Sequence, residues 1–457
     1  MLFPTLNFGF FFIVVIAVTL AVRQWPGLRL WFLIGASYVF YGFWDWRFTG
    51  LLLFSTLLNY FGGLWVHASK DKIALYLVVG ANLVILGFFK YFNFFIEQFN
   101  ELLSSLGLAR DLPFLSIILP IGISFFTFHG ISYVVDLHRG DLKRPASFGQ
   151  LMLYISFFPQ LVAGPIVRAS HFLPQIAAPE APRTVPLIRP LLLIAFGLFK
   201  KVVVANDLAT LLVDDVFRDP SVHGAGDLLI ASYGYALQIY CDFSAYTDIA
   251  IGLAALFGYR FPQNFDQPYR ADGVRDFWKR WHISLSTWLK DYLYIPLGGS
   301  RCSPWRQRLN LMLTMVLGGL WHGAAWNFVF WGGLHGAALV VEHEARLKPA
   351  KWLRIFLAFH FVCLTWIFFR AENFGVAIAF LEGLTRFSLP SLLSPYLSLL
   401  LFGGLAAQFL PPDMLTRIEH VIERVPAYGL GLATGLIIFI VDVMAPEGVA
   451  PFIYFRF

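Results

Sequence analysis

The chain has 457 residues, of which 58% are hydrophobic and only 14% charged, with a net charge of +6 and a mean hydropathy of +0.67. Soluble domains usually carry about 25% charged residues, so this composition excludes an ordinary soluble enzyme and indicates a many-spanning α-helical membrane protein. The apolar runs are continuous rather than alternating, which argues against a β-barrel, and the basic excess reads as cytoplasmic-loop charge rather than a nucleic-acid footprint.

Residues 7–22 (NFGFFFIVVIAVTLAV) read as an uncleaved first span, because no Lys or Arg precedes Arg23 to make the basic region of a signal peptide. Arg23 and Arg29 follow it, so the positive-inside rule puts the N-terminus outside. Further apolar segments of spanning length lie at 30–44, 48–67, 73–89, 187–204, 228–258, 309–345, 352–369, 392–410 and 427–445. Shorter pieces lie at 114–128, 149–166 and 208–217. A span takes about 20 residues, so some of these are paired, broken or re-entrant. The expectation is an all-α polytopic bundle of roughly ten to twelve crossings, forming one domain over residues 1–457. Polar or proline-rich loops at 138–147 and 174–190 interrupt the apolar pattern without making a domain boundary.

The segment 235–258 (YALQIYCDFSAYTDIAIGLAALFG) places Gln238, Asp242 and Tyr246 along one helix face. They form either a hydrogen-bonded cluster tying helices together or a site in which Asp242 orients a histidine or lines a polar tunnel. The island 260–308 holds the largest concentration of basic residues and is expected on the cytoplasmic face. Within it, DFWKRWHISLSTWLKDYLYIPLGG (276–299) puts Phe277, Trp278, Trp281, Leu285, Trp288, Leu289 and Tyr292 on one helical face. It reads as an interfacial helix, aromatic toward the bilayer and basic toward the cytoplasm, with His282 on its flank.

The last informative stretch is GGLWHGAAWNFVFWGGLHG (318–336). The apolar run around it is too long for one span, so a helix break near Trp321-His322-Gly323 is expected. Irregular backbone at depth survives only inside protein or beside a water-filled cavity, which makes His322 a candidate for a solvated site. An imidazole there can take a proton from a hydroxyl at neutral pH. His335 lies three to four helical turns further on and reads as packing. Nucleophile-elbow, phosphate-loop and zinc-protease motifs do not occur. His129 and His138 lack a supporting third ligand, and Cys241, Cys302 and Cys363 are widely spaced, so neither a metal nor a disulfide framework is expected.

The two histidine-bearing motifs, with YCDFSAYTDIAIGLA (240–254), LVAGPIVR (161–168), ILPIGISFFTFHGISYVVD (118–136) and the terminal FIYFRF (452–457), resemble the membrane-bound O-acyltransferase family. The resemblance runs from near residue 30 to the end and is nearest to the bacterial branch that O-acetylates polysaccharides such as alginate. It implies that His322 is the catalytic general base and His282 a second catalytic histidine that polarises the carbonyl or positions the thiol end, both facing a tunnel through the membrane. Trp281 and Trp321, which precede the two histidines, are then expected with Asp242 and Tyr246 as tunnel or orienting residues. The implied donor is a cytoplasmic thioester, acetyl-CoA, used as substrate with no bound cofactor. Arg275, Lys279 and Arg280 either meet its phosphates or serve membrane topology alone. The implied acceptor is a hydroxyl on a periplasmic acetyltransferase or acceptor protein of a polysaccharide-modifying complex. A D-alanyl or other acyl group delivered by a carrier protein, a covalent acetyl-histidine, and a non-catalytic transporter or scaffold remain the alternatives.

Overall fold

The computed structural model describes residues 1, 3–108, 115, 117–162, 164–178, 187–344, 349–411, 413–425 and 429. The terminal FIYFRF, nearly all of the apolar segment 427–445, Ala163 of the LVAGPIVR motif and residues 179–186 of the second loop lie outside the described residues. Among the described residues the secondary structure is entirely helical.

Leading the chain are α1 (Leu6–Ala21), α2 (Pro26–Gly42), α3 (Arg47–Ser69) and α4 (Lys72–Ser105). Thr5 and Asp71 cap α1 and α4 by accepting from Phe8 N and Ile73 N, which satisfies one of the orphan donors each helix start leaves. α5 (Ile123–Arg139) follows a left-handed Gly122 and is buried along most of its length. Next come α6 (Phe148–Ser156), the single turn α7 (Phe158–Leu161) and α8 (Ala169–Ala177). α9 (Ile188–Phe199) then runs through wide-pitched turns at Lys200–Ala205 and Ala209–Val213, on either side of α10 (Asn206–Leu208), into α11 (Asp214–Arg218). The central element is α12 (Ala225–Leu256), against which α9 and α17 pack. α13 (Val274–Arg280), α14 (Ile283–Leu289), α15 (Pro304–His322) and α16 (Trp326–Glu344) carry the two motifs. α17 (Lys351–Arg370), α18 (Phe374–Gly383), α19 (Pro395–Ala406) and α20 (Met414–Ile422) complete the described chain.

Four single helices among the described residues are long and apolar enough to cross a bilayer: α3, α4, α12 and α17. The sequence expectation of ten to twelve crossings counted apolar runs that the structure divides into shorter helices. The run 309–345 is the clearest case, since α15 and α16 meet at the break after His322.

Two departures concern charged and aromatic residues. The segment 276–299 is not one helix but two, because His282 adopts a left-handed backbone (φ 42, ψ 54) between α13 and α14. Its aromatic face turns into the protein rather than toward lipid: Phe277, Trp281, Leu285 and Trp288 are all buried. Trp288 stacks on Phe128 of α5 with ring centroids 3.6 Å apart, and Trp281 lies 5.1 Å from Trp366 of α17. Arg29, read from sequence as a topological charge, is buried and donates to the carbonyl of Phe257 at the end of α12.

Polar pairs join the helices where lipid offers no hydrogen bonds. Asn59 on α3 and Asn82 on α4 exchange amide hydrogen bonds of 3.0 Å in each direction. Small residues allow α15 and α16 to lie closer still. A Cβ added to Gly319 would strike the carbonyl of Phe328, and one added to Gly332 would strike that of Met315, whereas Gly333 has open space around it. Gly332→Ala and Gly319→Ala should therefore each destabilise the protein by about 1–3 kcal/mol, the usual cost of overpacking, while Gly333→Ala should not. Thermal unfolding of the three variants in the same detergent checks this, and equal midpoints for all three would refute the close approach.

Candidate active site

α15 begins with Ser303 accepting from Arg306 N and with Pro304 at its first position, and it ends at His322. Gly323 continues in extended conformation, and a side chain there would strike the ring of Phe328. The His322 ring is buried in an aromatic enclosure. Trp331 of α16 stands perpendicular to it at 5.3 Å, Phe369 of α17 lies at 5.3 Å, and Trp321 at 5.1 Å.

Two cavities reach this point. The first has a volume of about 620 Å³ and is lined by the chain around Thr5 and Asn7, the end of α2, Lys90 and residues 119–125. The second, about 390 Å³, is lined by α13, α14, α15 and α16, including Arg275, Lys279, Ser286, Thr287 and Lys290. His322 is the one described residue that lines both. The arrangement puts one imidazole on the wall of both cavities, within reach of a molecule held in each.

His282 is placed differently. It is fully buried, and it lines neither cavity. Its ring meets Phe243 of α12 edge-on at 4.6 Å and lies 6.1 Å from the Trp321 ring. Trp321 thus has both histidine rings beside it, His322 at 5.1 Å and His282 at 6.1 Å. The loop residue Asn264 holds this corner. Its backbone carbonyl accepts from Ile283 N (2.9 Å), and its Oδ1 accepts from Ser284 N (2.9 Å), so it caps the start of α14 in place of His282. The same Oδ1 lies 3.3 Å from His282 Nδ1. An amide oxygen can only accept, so Nδ1 carries the proton and Nε2 is the bare nitrogen of the neutral ring. A left-handed backbone at a non-glycine residue costs free energy, and the Asn264 bonds to its ring and to the two amides that follow it are what hold it.

His335 is a satisfied core residue, as the sequence suggests. Trp278 Nε1 donates to its Nδ1 (3.2 Å), which leaves Nε2–H facing Thr365 Oγ1 at 3.0 Å. Indole nitrogen only donates, so this histidine is the opposite tautomer from His282.

The remaining sequence candidates separate into three groups. Arg275 and Lys279 are exposed at the mouth of the second cavity, joined there by Lys290, which the sequence reading had not singled out for this role. Arg280 is not with them: it is tied to Asp276 (2.9 Å) and Asp266 (3.1 Å). Asp242 forms a buried ion pair of 2.7 Å with Lys201, whose ammonium also lies 5.6 Å from the Tyr246 ring. Neither Asp242 nor Tyr246 lines the two cavities. The structure therefore favours the helix-tying reading of that cluster, because a carboxylate buried beside a lysine is committed to it. Lys200 pairs likewise with Asp248 (2.6 Å) and Ser244 (2.8 Å), and both lysines lie inside what reads as a plain apolar run. Trp281 packs against Phe265, Phe277 and Trp366 and does not reach either cavity.

Sequence reasoning passed over two residues that touch this region, Asn264 and Lys90. Lys90 Nζ on α4 donates to the carbonyls of Trp321 and His322, and Tyr91 OH donates to that of Leu320. Lys90 carried a usable signal, since an ionisable side chain inside an apolar segment is a functional candidate by default. Asn264 carried none, being one polar residue in a polar loop. No group of His, Cys, Asp and Glu among the described residues could hold a metal ion.

The tautomers are directly measurable. NMR of isotope-labelled histidine should find His282 protonated on Nδ1 and His335 on Nε2. Asn264→Leu should abolish the first preference and leave the second unchanged. A spectrum with His282 protonated on Nε2 would contradict the role of Asn264.

A sequence model of the membrane-bound O-acyltransferase family matches residues 123–371, a stretch that contains both histidine motifs and α12. The probable alginate O-acetylase AlgI of Pseudomonas putida is 36% identical over 470 aligned residues, covering 93% of this chain and 94% of that protein. The peptidoglycan O-acetyltransferase of Helicobacter pylori is 38% identical, over 78% of this chain and 73% of its own. A more distant relative, the teichoic acid D-alanyltransferase of Bacillus subtilis, is 28% identical over 56% of this chain and 69% of its own. With its apolar spanning helices and a family match over more than half its length, the chain belongs to the membrane-bound O-acyltransferase family and is an integral membrane O-acyltransferase.

Proposed function

We propose that this protein transfers an acetyl group from a cytoplasmic thioester, acetyl-CoA, to a hydroxyl presented from the periplasm, with His322 as general base. The observation that carries the reading is that His322, alone among the described residues, lines both cavities. The second cavity is the donor side: Arg275, Lys279 and Lys290 surround its mouth, suited to the phosphates of a nucleotide thioester, and its walls are mostly apolar. The first cavity is the acceptor side.

In the reaction, His322 takes the proton of the acceptor hydroxyl as its oxygen attacks the thioester carbonyl. The carbon–sulfur bond then breaks and the departing thiolate receives that proton from the imidazolium, so the histidine returns neutral. General-base help of this kind contributes about 10²–10⁴-fold, and holding both partners in line supplies much of the rest. His282 acts indirectly in this scheme, by supporting Trp321 beside the reacting imidazole.

The relatives named as alginate and peptidoglycan O-acetylating proteins support an acyl acceptor destined for a cell-surface polymer. The D-alanyltransferase relative favours a second donor chemistry, an aminoacyl thioester on a carrier protein, and its lower identity ranks it behind acetyl. A cavity of about 620 Å³ admits a side chain or a small carrier group but not a polysaccharide, so a periplasmic partner protein is the proposed immediate acceptor.

Purified protein in proteoliposomes, supplied with acetyl-CoA, should transfer acetyl when the partner is present and not to polymer alone. His322→Ala should lose at least about 10²-fold in turnover while remaining folded. Turnover near wild type in that variant would end the assignment. Lys279→Ala and Arg275→Ala should raise the KM for acetyl-CoA, with a smaller effect from acetyl-pantetheine, which lacks the nucleotide phosphates. Arg280→Ala should lower thermal stability rather than donor affinity. For orientation, single cysteines introduced at positions 3 and 301 should label from the periplasm and the cytoplasm respectively. Labelling of both from one side would overturn the proposed map.

A further inference from the structure

α15 ends at depth within the protein, and the carbonyls of its last turn need partners. The structure supplies them from one turn of α4. Tyr91 OH lies 2.9 Å from the carbonyl of Leu320, and Lys90 Nζ donates to the carbonyl of Trp321 and, at 3.2 Å, to that of His322. The third direction of the ammonium faces Ser124 Oγ at 3.5 Å, at the start of α5. The same nitrogen lies 5.7 Å from the centroid of the Trp321 ring. Among the described residues, Lys90 is the only Lys, Arg, Asp or Glu side chain lining the acceptor-side cavity.

We propose that Lys90 is a positioning residue of the acyl-transfer site: its ammonium clamps the backbone of Trp321 and His322 and so fixes the imidazole at the boundary of the two cavities. An uncapped helix end frays and tightens into alternative turns, whereas a cation at the negative end of the helix dipole holds it. An ammonium has three donors and no acceptor, and here three oxygens stand within reach of it, two from the end of α15 and one from the start of α5. A lysine in an apolar helix is costly enough that its hydrogen bonds must justify its place. Tyr91 caps only the carbonyl preceding the motif and serves as the internal comparison.

The inference rests on the proposed role of His322, and the test separates the two. In the full-length protein, Lys90→Met should lower kcat by roughly 10- to 100-fold, the effect expected when a reacting group shifts by about 1 Å. The KM for acetyl-CoA, whose cavity Lys90 does not line, should stay within about twofold. Tyr91→Phe should lose a comparable amount of thermal stability with a much smaller change in kcat, and Lys90→Arg should recover part of the rate. Hydrogen exchange of the backbone amides at 319–324 should be faster in Lys90→Met than in wild type or Tyr91→Phe. If Lys90→Met does not fold, Lys90→Gln and Lys90→Arg are compared. A slower Gln variant at equal stability supports the clamp, and equal rates overturn it. Wild-type kcat in Lys90→Met, or a rate loss that merely tracks the folded fraction, also overturns it. Activity retained in His322→Ala would remove the general-base reading instead, and the exchange measurement would still decide whether Lys90 holds the helix end.

Discussion

Lipid offers no hydrogen bonds, so a helix that stops at depth must have its terminal carbonyls met by the protein itself. α15 stops at His322, and its last carbonyls are taken by Tyr91 and Lys90 of α4. Much else follows from that stop. It turns the chain back as α16, brings Trp331 perpendicular to the His322 ring, and leaves the imidazole where two cavities meet. A continuous helix through the same residues would present one face to each side and could not put one side chain on both.

The break also needs close packing to be stable. Glycines on α15 and α16 remove the Cβ atoms that would hold the helices apart, and the space is closed by large rings from the end of α13 and from α16 and α17. Aromatic side chains suit this use, since each buries a large apolar area with few rotatable bonds and packs edge to face. The enclosure buries the His322 ring, and hydrogen bonds and charges act more strongly in such a low-dielectric setting. It also explains why the aromatic face of 276–299 points inward. The rings form the wall of the site, and the left-handed bend at His282 is what turns that wall through a corner.

The two lysine–aspartate pairs between the turns after α9 and α12 belong to the scaffold. Buried ion pairs are weak evidence for stability but strong determinants of register, because breaking either partner strands a charge. Asp242 shows what one sequence segment leaves open. Its helix face was correctly read, but whether it meets a histidine or a lysine depends on a segment more than thirty residues away in the chain.

Composition and apolar run length by themselves determined the solvent, the all-α class and the need for a broken helix near His322, because these depend on local hydropathy and on the thickness of a bilayer. The motif spacing did not by itself set the distance between His322 and His335, because the helix breaks after His322 and Trp331 packs against both rings. Tertiary structure alone decided which polar groups meet. Asn264 reaches His282 from a preceding loop, Lys90 reaches the carbonyls of Trp321 and His322 from α4, and Lys201 rather than a histidine reaches Asp242. Only the fold placed Arg275, Lys279 and Lys290 around one cavity mouth while consigning Arg280 to ion pairs. Hydropathy is a property of consecutive residues and can be read along the chain. Hydrogen-bond pairing between distant segments is set by how helices cross and turn, which no single segment encodes.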